Sequence, residues 1–272
     1  MQQKITPEPP EDKLFIASVE KAFRVLECFE SSHRRVTLTQ LAELTGLDNS
    51  SLQRLLHTLL KLGYLRKDAN RQYSLTPRVL NLGTNYLRTN DLVERATPCL
   101  QAAHASSGET INLIELDDTD TVFVIRFLAA HPTGLSILLG SRTPVFCSGA
   151  GRAILAHLPE QEAISILDRT VKRKFTKNTL TSTKAIMAQV RKVRDLGYSI
   201  SNEEFMVGDV SIGAPVFDHT GSVAAAVSVP VSSVRWQNPE VREQIVSLVM
   251  NTARSVSNSY GRSKQSWLAT TN

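Results

Sequence analysis

Apolar residues recur at the helical period from the start of the patterned chain. Val19, Ala22, Phe23, Leu26 and Phe29 predict a first helix over Ser18–Phe29, with Ser18 as its N-cap. After the polar break SSHRR, a short pattern opens at Leu38 or Thr39 and stops before Gly46, which predicts a second helix. A third follows, capped by Asp48 or Asn49 and ended by Gly63. Its Leu52, Leu55, Leu56, Leu59 and Leu60 form an apolar stripe wide enough to dock on a core. Ser50, Gln53, Arg54, His57 and Lys61 recur every three or four residues and share the opposite face. Tyr64–Lys67 and Arg71–Leu75, around the turn-prone Asp68-Ala69-Asn70, read as a two-stranded hairpin. Three helices and a hairpin predict a winged helix-turn-helix over residues 14–77.

Beyond Pro77 the helical period continues to Asn90, as a linker helix over residues 78–90. It then restarts over Asp91–Ser107 with Leu92, Val93, Ala96, Leu100 and Ala103 inward. The pattern next changes to β-branched and aromatic runs. Residues 110–116 and 121–127 read as strands about an Asp117–Asp120 turn, and Leu135–Leu139 as a third. Helices are expected over Gly149–His157, from Pro159 to Asp168, and from Ser182 or Thr183 to Leu196, closed by Gly197. Tyr198–Ser201, Ile212–Phe217 and Ser222–Pro230 read as strands, the last two joined by a turn at Asp218–Gly221. Asn238-Pro239 opens a final helix to about Tyr260. Hairpins and helices that do not alternate strictly indicate an α+β domain with an antiparallel sheet over residues 91–261. Residues 1–13 and 262–272 are expected to be tails.

A length of 272 residues agrees with two domains. No apolar run approaches the roughly 18 residues of a membrane span, and the polar, Pro-rich MQQKITPEPPEDK has no signal-peptide segment; a cytoplasmic location is expected. Cys28, Cys99 and Cys147 suit neither a disulfide framework nor a metal site, and the histidines lack ligand spacing, so no metal is expected.

Charge sharpens the helical reading. Between Ser31 and Arg78 eight Lys/Arg face three Asp/Glu, an excess of +5 that equals the net charge of the whole chain. A basic patch on a two-helix motif is the footprint of a phosphate-backbone binder, with the second helix of the pair in a DNA major groove. Arg54 is the candidate for a bidentate guanine or phosphate contact and Gln53 for adenine. Ser50 and Ser51 sit near the helix N-terminus, where phosphate is favoured. His57 and Lys61 lie further along, and the wing residues Arg66, Lys67 and Arg71 could reach phosphates or the minor groove. The plain alternative is a solvated face of a bundle helix.

Catalytic candidates are weak. Gly149-Ala150-Gly151-Arg152 completes neither a Walker pattern nor GxGxxG, although backbone N–H groups at that helix start could hold a carboxylate. Glu203 and Glu204, adjacent on a strand, would face opposite sides and could not act as an acid/base pair. Cys147 with His131 or His157 lacks an orienting third group. No catalytic residue and no cofactor are expected; the alternative reading is a small-molecule-modifying enzyme with an accessory helix-turn-helix.

Three segments together resemble the IclR-type transcriptional regulators: SVEKAFRVLECF with LTQLAELTGLDNSSLQRLLHTLLKLGYL, CSGAGRAILAHLP at 147–159, and GYSISNEEFMVGDVSIGAPVFDHTGSVAAAVSVP at 197–230. The resemblance runs from Ser18 to Gly261. It implies a GAF-like C-terminal sensor domain, a homodimer or homotetramer on a pseudo-palindromic operator, and a small organic acid, aromatic acids included, as effector controlling a catabolic operon. It also implies that Thr143, Gly149, Ala150, Ser201, Ser211, Ser228 and Pro230 line the effector pocket. Ser201 stands where some relatives carry an acid, Pro230 where others carry a hydrogen-bonding residue, and Ser211 where others carry Cys or bulkier groups.

Overall fold

The computed structural model describes residues 13–30, 32–130 and 137–261, in two compact units that divide between Tyr86 and Leu87.

The first unit holds α1 (Ala17–Glu27), α2 (Leu38–Thr45) and α3 (Asn49–Lys61), then the antiparallel hairpin β1 (Leu65–Lys67) and β2 (Tyr73–Leu75), paired with Arg66 opposite Ser74. Val36 bridges to Tyr73 and gives the hairpin a third backbone neighbour. Its core gathers Val25, Val36, Leu41, Leu52, Leu56, Leu59, Leu65 and Tyr73. α1 departs from expectation at its start. The N–H groups of Val19 and Glu20 bond to the Ile16 carbonyl, so Ile16 holds the cap position and Ser18 lies inside the helix. Its faces differ too: Val25 is fully buried, whereas Val19 and Phe23 are about half exposed at 49% and 50%. α2 begins at Leu38 because Thr37 and Gln40 form a reciprocal capping box. It ends at Gly46, whose φ of 69° is left-handed backbone that a glycine adopts without a Cβ penalty. Asp48 caps α3 by accepting the Ser51 N–H at 2.9 Å.

A single 3-10 turn at Pro77–Val79 leads into α4 (Leu80–Thr89). α5 (Asp91–Ser107) is capped by the Asn90 side chain, which accepts from Leu92 and Val93 N–H. β3 (Ile111–Asp117) and β4 (Asp120–Phe127) form a hairpin. The third strand is β5 (Arg142–Pro144), not Leu135–Leu139. Residues 135 and 136 lie outside the described residues, and 137–139 are not strand, because the chain turns at Leu139-Gly140 to bring Gly140 N–H onto the Phe123 carbonyl. After a 3-10 turn at Val145–Cys147 come α6 (Gly149–Leu155), α7 (Glu160–Arg169) and α8 (Thr183–Leu196). Then follow β6 (Ser199–Asn202), β7 (Asp209–Phe217), β8 (Val223–Ser232), the short α9 (Ser233–Trp236) and α10 (Pro239–Tyr260).

The six strands form one sheet in the order β5-β4-β3-β8-β7-β6, every neighbour antiparallel. Alternation gives it two faces. Leu113, Ile125, Val227, Val229, Ile212 and Ala214 bury one face in a core shared with Leu100 of α5 and Ile245, Val249 and Ala253 of α10. Ile114, Phe123 and Ala226 turn to the other face, where Ala150, Ala153 and Ile154 of α6 cover them. Val145, Phe146, Leu155, Leu167, Ile186 and Val190 form a further core among α6, α7 and α8. A bulge in β4 opposite Leu113/Ile114 inserts Val124 as an unpaired residue.

Candidate functional site

On α3, Leu52, Leu56 and Leu59 are buried while Ser50, Gln53, Arg54, His57 and Lys61 are exposed, so the expected two faces are both present. Ser51 differs: it is half-buried, and its N–H is already held by Asp48. The same bonds keep the Asp48 carboxyl below the usual carboxylate range. In the hairpin, Arg66 Nε donates to Ser74 Oγ at 3.0 Å and Lys67 Nζ stands 5.2 Å from the Tyr73 ring centre, both on exposed β1 positions. Asp68 shapes the connecting turn by accepting from Asn70 and Gln72 N–H, with Arg71 at φ 61°.

In the second unit, Thr143, Ala150, Ser201, Ser211, Ser228 and Pro230 line a single cavity of about 50 Å³, room for roughly three to five waters. Gly149 is not among its walls. Its backbone presses on β7 so closely that a Cβ there would stand 2.5 Å from the Ser211 carbonyl oxygen. The α6 start is also less available than the sequence implied. Ser148 Oγ accepts the Gly151 N–H at 2.8 Å, so one of the helix's free N-terminal donors is already satisfied within the turn. Three of the expected cavity hydroxyls are engaged by the protein itself. Ser201 Oγ donates to the Cys147 carbonyl at 2.7 Å, the Thr143 hydroxyl meets that of Thr121 at 2.7 Å, and Ser228 Oγ accepts from Asn112 Nδ2 at 3.3 Å.

Residue-by-residue sequence reading missed four polar walls, Asn112, Arg126, Ser148 and Asp209. Asn112 Oδ1 and Arg126 Nε are the two buried side-chain polar atoms without a hydrogen-bond partner among the described residues. Burial pushes the Asp209 carboxyl up to about 6, against the pull of the Arg126 charge, and the same desolvation lowers Arg126. No ion pair joins the two among the described residues. Phe123, Phe205, Ile114 and Ile137 supply the apolar part of the lining.

Catalytic geometry does not assemble. Burial pushes the Cys147 thiol up to about 12, which leaves it a neutral, poor nucleophile. The His157 ring lies at the Ala153 carbonyl and edge-on to Phe217, and His131 is outside the described residues. Glu203 and Glu204 are not on a strand. Glu203, at φ 53°, accepts the Gly208 N–H, while Glu204 is buried and pairs through both oxygens with Arg152 at 2.5 Å.

The chain matches two family models, the IclR helix-turn-helix domain over residues 18–69 and the bacterial transcriptional regulator IclR C-terminal domain over residues 84–258. It is 28% identical over 246 residues to the Pca regulon regulatory protein of Pseudomonas putida, covering 90% of this chain and 84% of that protein. It is 29% identical to the transcriptional repressor IclR of Escherichia coli K12, covering 90% of each. The fold superposes on the IclR transcriptional regulator of Alicyclobacillus acidocaldarius with a TM-score of 0.77 at 27% identity, over 90% of this chain and 99% of that one. It also superposes on an IclR homologue of Microbacterium hydrocarbonoxydans, with a TM-score of 0.73 at 21% identity over 89% and 98%. These relatives are regulators, not enzymes. With both family models matched in order over most of its length, this chain is a member of the IclR family of transcriptional regulators.

Proposed function

We propose that the chain is a one-component regulator of a catabolic operon that reads a pseudo-palindromic operator through α3 and its wing and senses a small organic acid in the sheet cavity. The observation that carries the DNA reading is the exposed row Ser50, Gln53, Arg54, His57 and Lys61 opposite the buried Leu52, Leu56 and Leu59, with Leu55 and Leu60 half-buried beside them. Docked leucines hold the helix rigidly, and the polar row projects groups able to meet base edges and phosphates. Arg66 and Lys67 on the wing add phosphate-directed charge. A second copy is the natural occupant of the apolar patch at Leu14, Ile16, Val19 and Phe23, which are 49–87% exposed. A dimer presents two recognition helices to two half-sites.

The cavity reading rests on its mixed lining: an aromatic and aliphatic wall with a cation and an unpaired acceptor. A fold neighbour was crystallised with 4-hydroxybenzoate, and a relative is named for the pca regulon; both agree with an aromatic acid. An effector acts only if it binds one arrangement of the dimer better than another.

The test is operator affinity with and without candidate acids, for the wild type and Arg54→Ala. The variant is expected to lose about 1–3 kcal/mol of binding, and the wild type to lose affinity steeply as salt rises. Unchanged promoter binding by Arg54→Ala would remove α3 as the reading element. Operator binding and transcription indifferent to every acid would remove the sensor.

A further inference from the structure

The geometry points to Arg126 as the anion anchor of the cavity and Asp209 as its internal counterion, so that a carboxylate effector enters in exchange for the Asp209 charge and carries a proton in with it. This rests on the reading of the cavity as the effector site and names how that site selects its ligand.

Three observations converge. Arg126 Nε is buried and unpaired, a donor that a carboxylate oxygen satisfies directly. The β4 bulge places Arg126 on the cavity face, opposite Asn112 of β3, and Asn112 is in turn opposite Ser228 of β8. A polar row therefore crosses three strands of the cavity wall. Asp209 supplies the matching negative charge from the start of β7.

A monocarboxylate placed on Arg126 meets Asp209. Two carboxylates in one small, poorly solvated space do not both stay ionised. Asp209 then takes a proton from solvent, and Asp209–COOH, the ligand carboxylate and the Arg126 guanidinium conserve one negative and one positive charge. Other groups near Asp209 are already committed. Glu203 holds the Gly208 N–H, Arg152 is tied to Glu204, Arg235 of α9 is tied to Glu109, and the Cys147 thiol is neutral. Asn112 Oδ1 asks for a donor, so the ligand that satisfies both unpaired atoms is a carboxylic acid that also carries a hydroxyl or amino group.

The experiment is calorimetric titration of the full chain with paired probes, aromatic and short aliphatic hydroxycarboxylates beside their neutral amides, from pH 5 to 8. An acid is expected to bind at least tenfold more tightly than its amide. Above pH 6 its affinity is expected to fall by up to about tenfold per pH unit, since one proton accompanies it. Asp209→Asn flattens that dependence. Arg126→Gln weakens the acids at least tenfold and spares the amides, and Arg126→Lys restores part of the loss, which separates anchoring from misfolding. Amides that bind as tightly as acids, or Arg126→Gln binding acids unchanged, would leave the sensor in place and remove the anchor. A flat pH profile in the wild type would remove the exchange. No binding by any acid or amide would remove the sensor reading and this assignment together.

Discussion

Arg152 and Glu204 stand 52 residues apart in sequence and meet almost wholly out of water, their side chains 2% and 8% exposed. Arg152 also donates to the carbonyls of Phe146 and Ile200, and the Leu180 N–H approaches Glu204, so the charges sit in a hydrogen-bonded setting. Removing one partner leaves an uncompensated buried charge. Glu204→Gln is expected to cost about 3–5 kcal/mol in urea unfolding. Replacing both by Met should cost less than the sum of the single losses, because neither charge is then stranded. A double variant as unstable as that sum would mean the pair is independent in effect. The same pair explains the signature around Glu203 and Glu204, whose side chains hold a loop and a core cation instead of flanking a strand.

At the level of elements, α6 and β7 approach more closely than side chains permit. A Cβ on Gly213 would stand 2.5 Å from the Gly149 carbonyl carbon and 2.7 Å from the Ala150 nitrogen, all backbone. Gly213→Ala is therefore expected to destabilise by about 1–3 kcal/mol or to displace α6, which would widen the cavity. Urea unfolding and effector affinity would register the two outcomes. Thr37 matters in a more local way, since its hydroxyl and Gln40 close the start of α2. Thr37→Ala should cost about 1 kcal/mol, with Thr37→Ser near wild type, and operator binding at low temperature unchanged. The β4 bulge has the largest consequence for the cavity. Simple alternation sets Phe123 and Arg126, three apart, on opposite faces, whereas the inserted Val124 returns both to the cavity side. Nothing in the period of that run marks the bulge, so Arg126 was invisible to pattern reading.

For the whole molecule, the cavity makes stability depend on pH. The folded Asp209 carboxyl is raised to about 6 from 3.8, so the folded state binds this proton more tightly than the unfolded chain. The cost of ionising Asp209 is absent below about pH 3.8, grows as pH rises, and is fully present above about 6. Asp209→Asn should thus add at most roughly 3 kcal/mol at pH 7.5 and almost nothing near pH 4. A gain of equal size at both pH values, by urea unfolding, would show that charge is not its origin.

The sequence by itself determined what depends on neighbours within a turn or two of the chain. The capped helices, the leucine stripe with its exposed polar row, the antiparallel character of the second unit and the family signatures were legible because helix caps, a 3.6-residue period and turn chemistry are local properties. Thr143, Ala150, Ser201, Ser211, Ser228 and Pro230 of the cavity came from the resemblance, not from periodicity. The tertiary structure alone decided which polar groups face one another across strands. Ser18 lost its cap position to Ile16, just ahead of it in the chain, Gly149 was pressed onto β7, and Arg126, Asn112 and Asp209 were gathered by strand register and one inserted residue. Their unpaired donor, unpaired acceptor and raised carboxyl arise from desolvation, which no segment of the chain experiences until the sheet and α6 close over it.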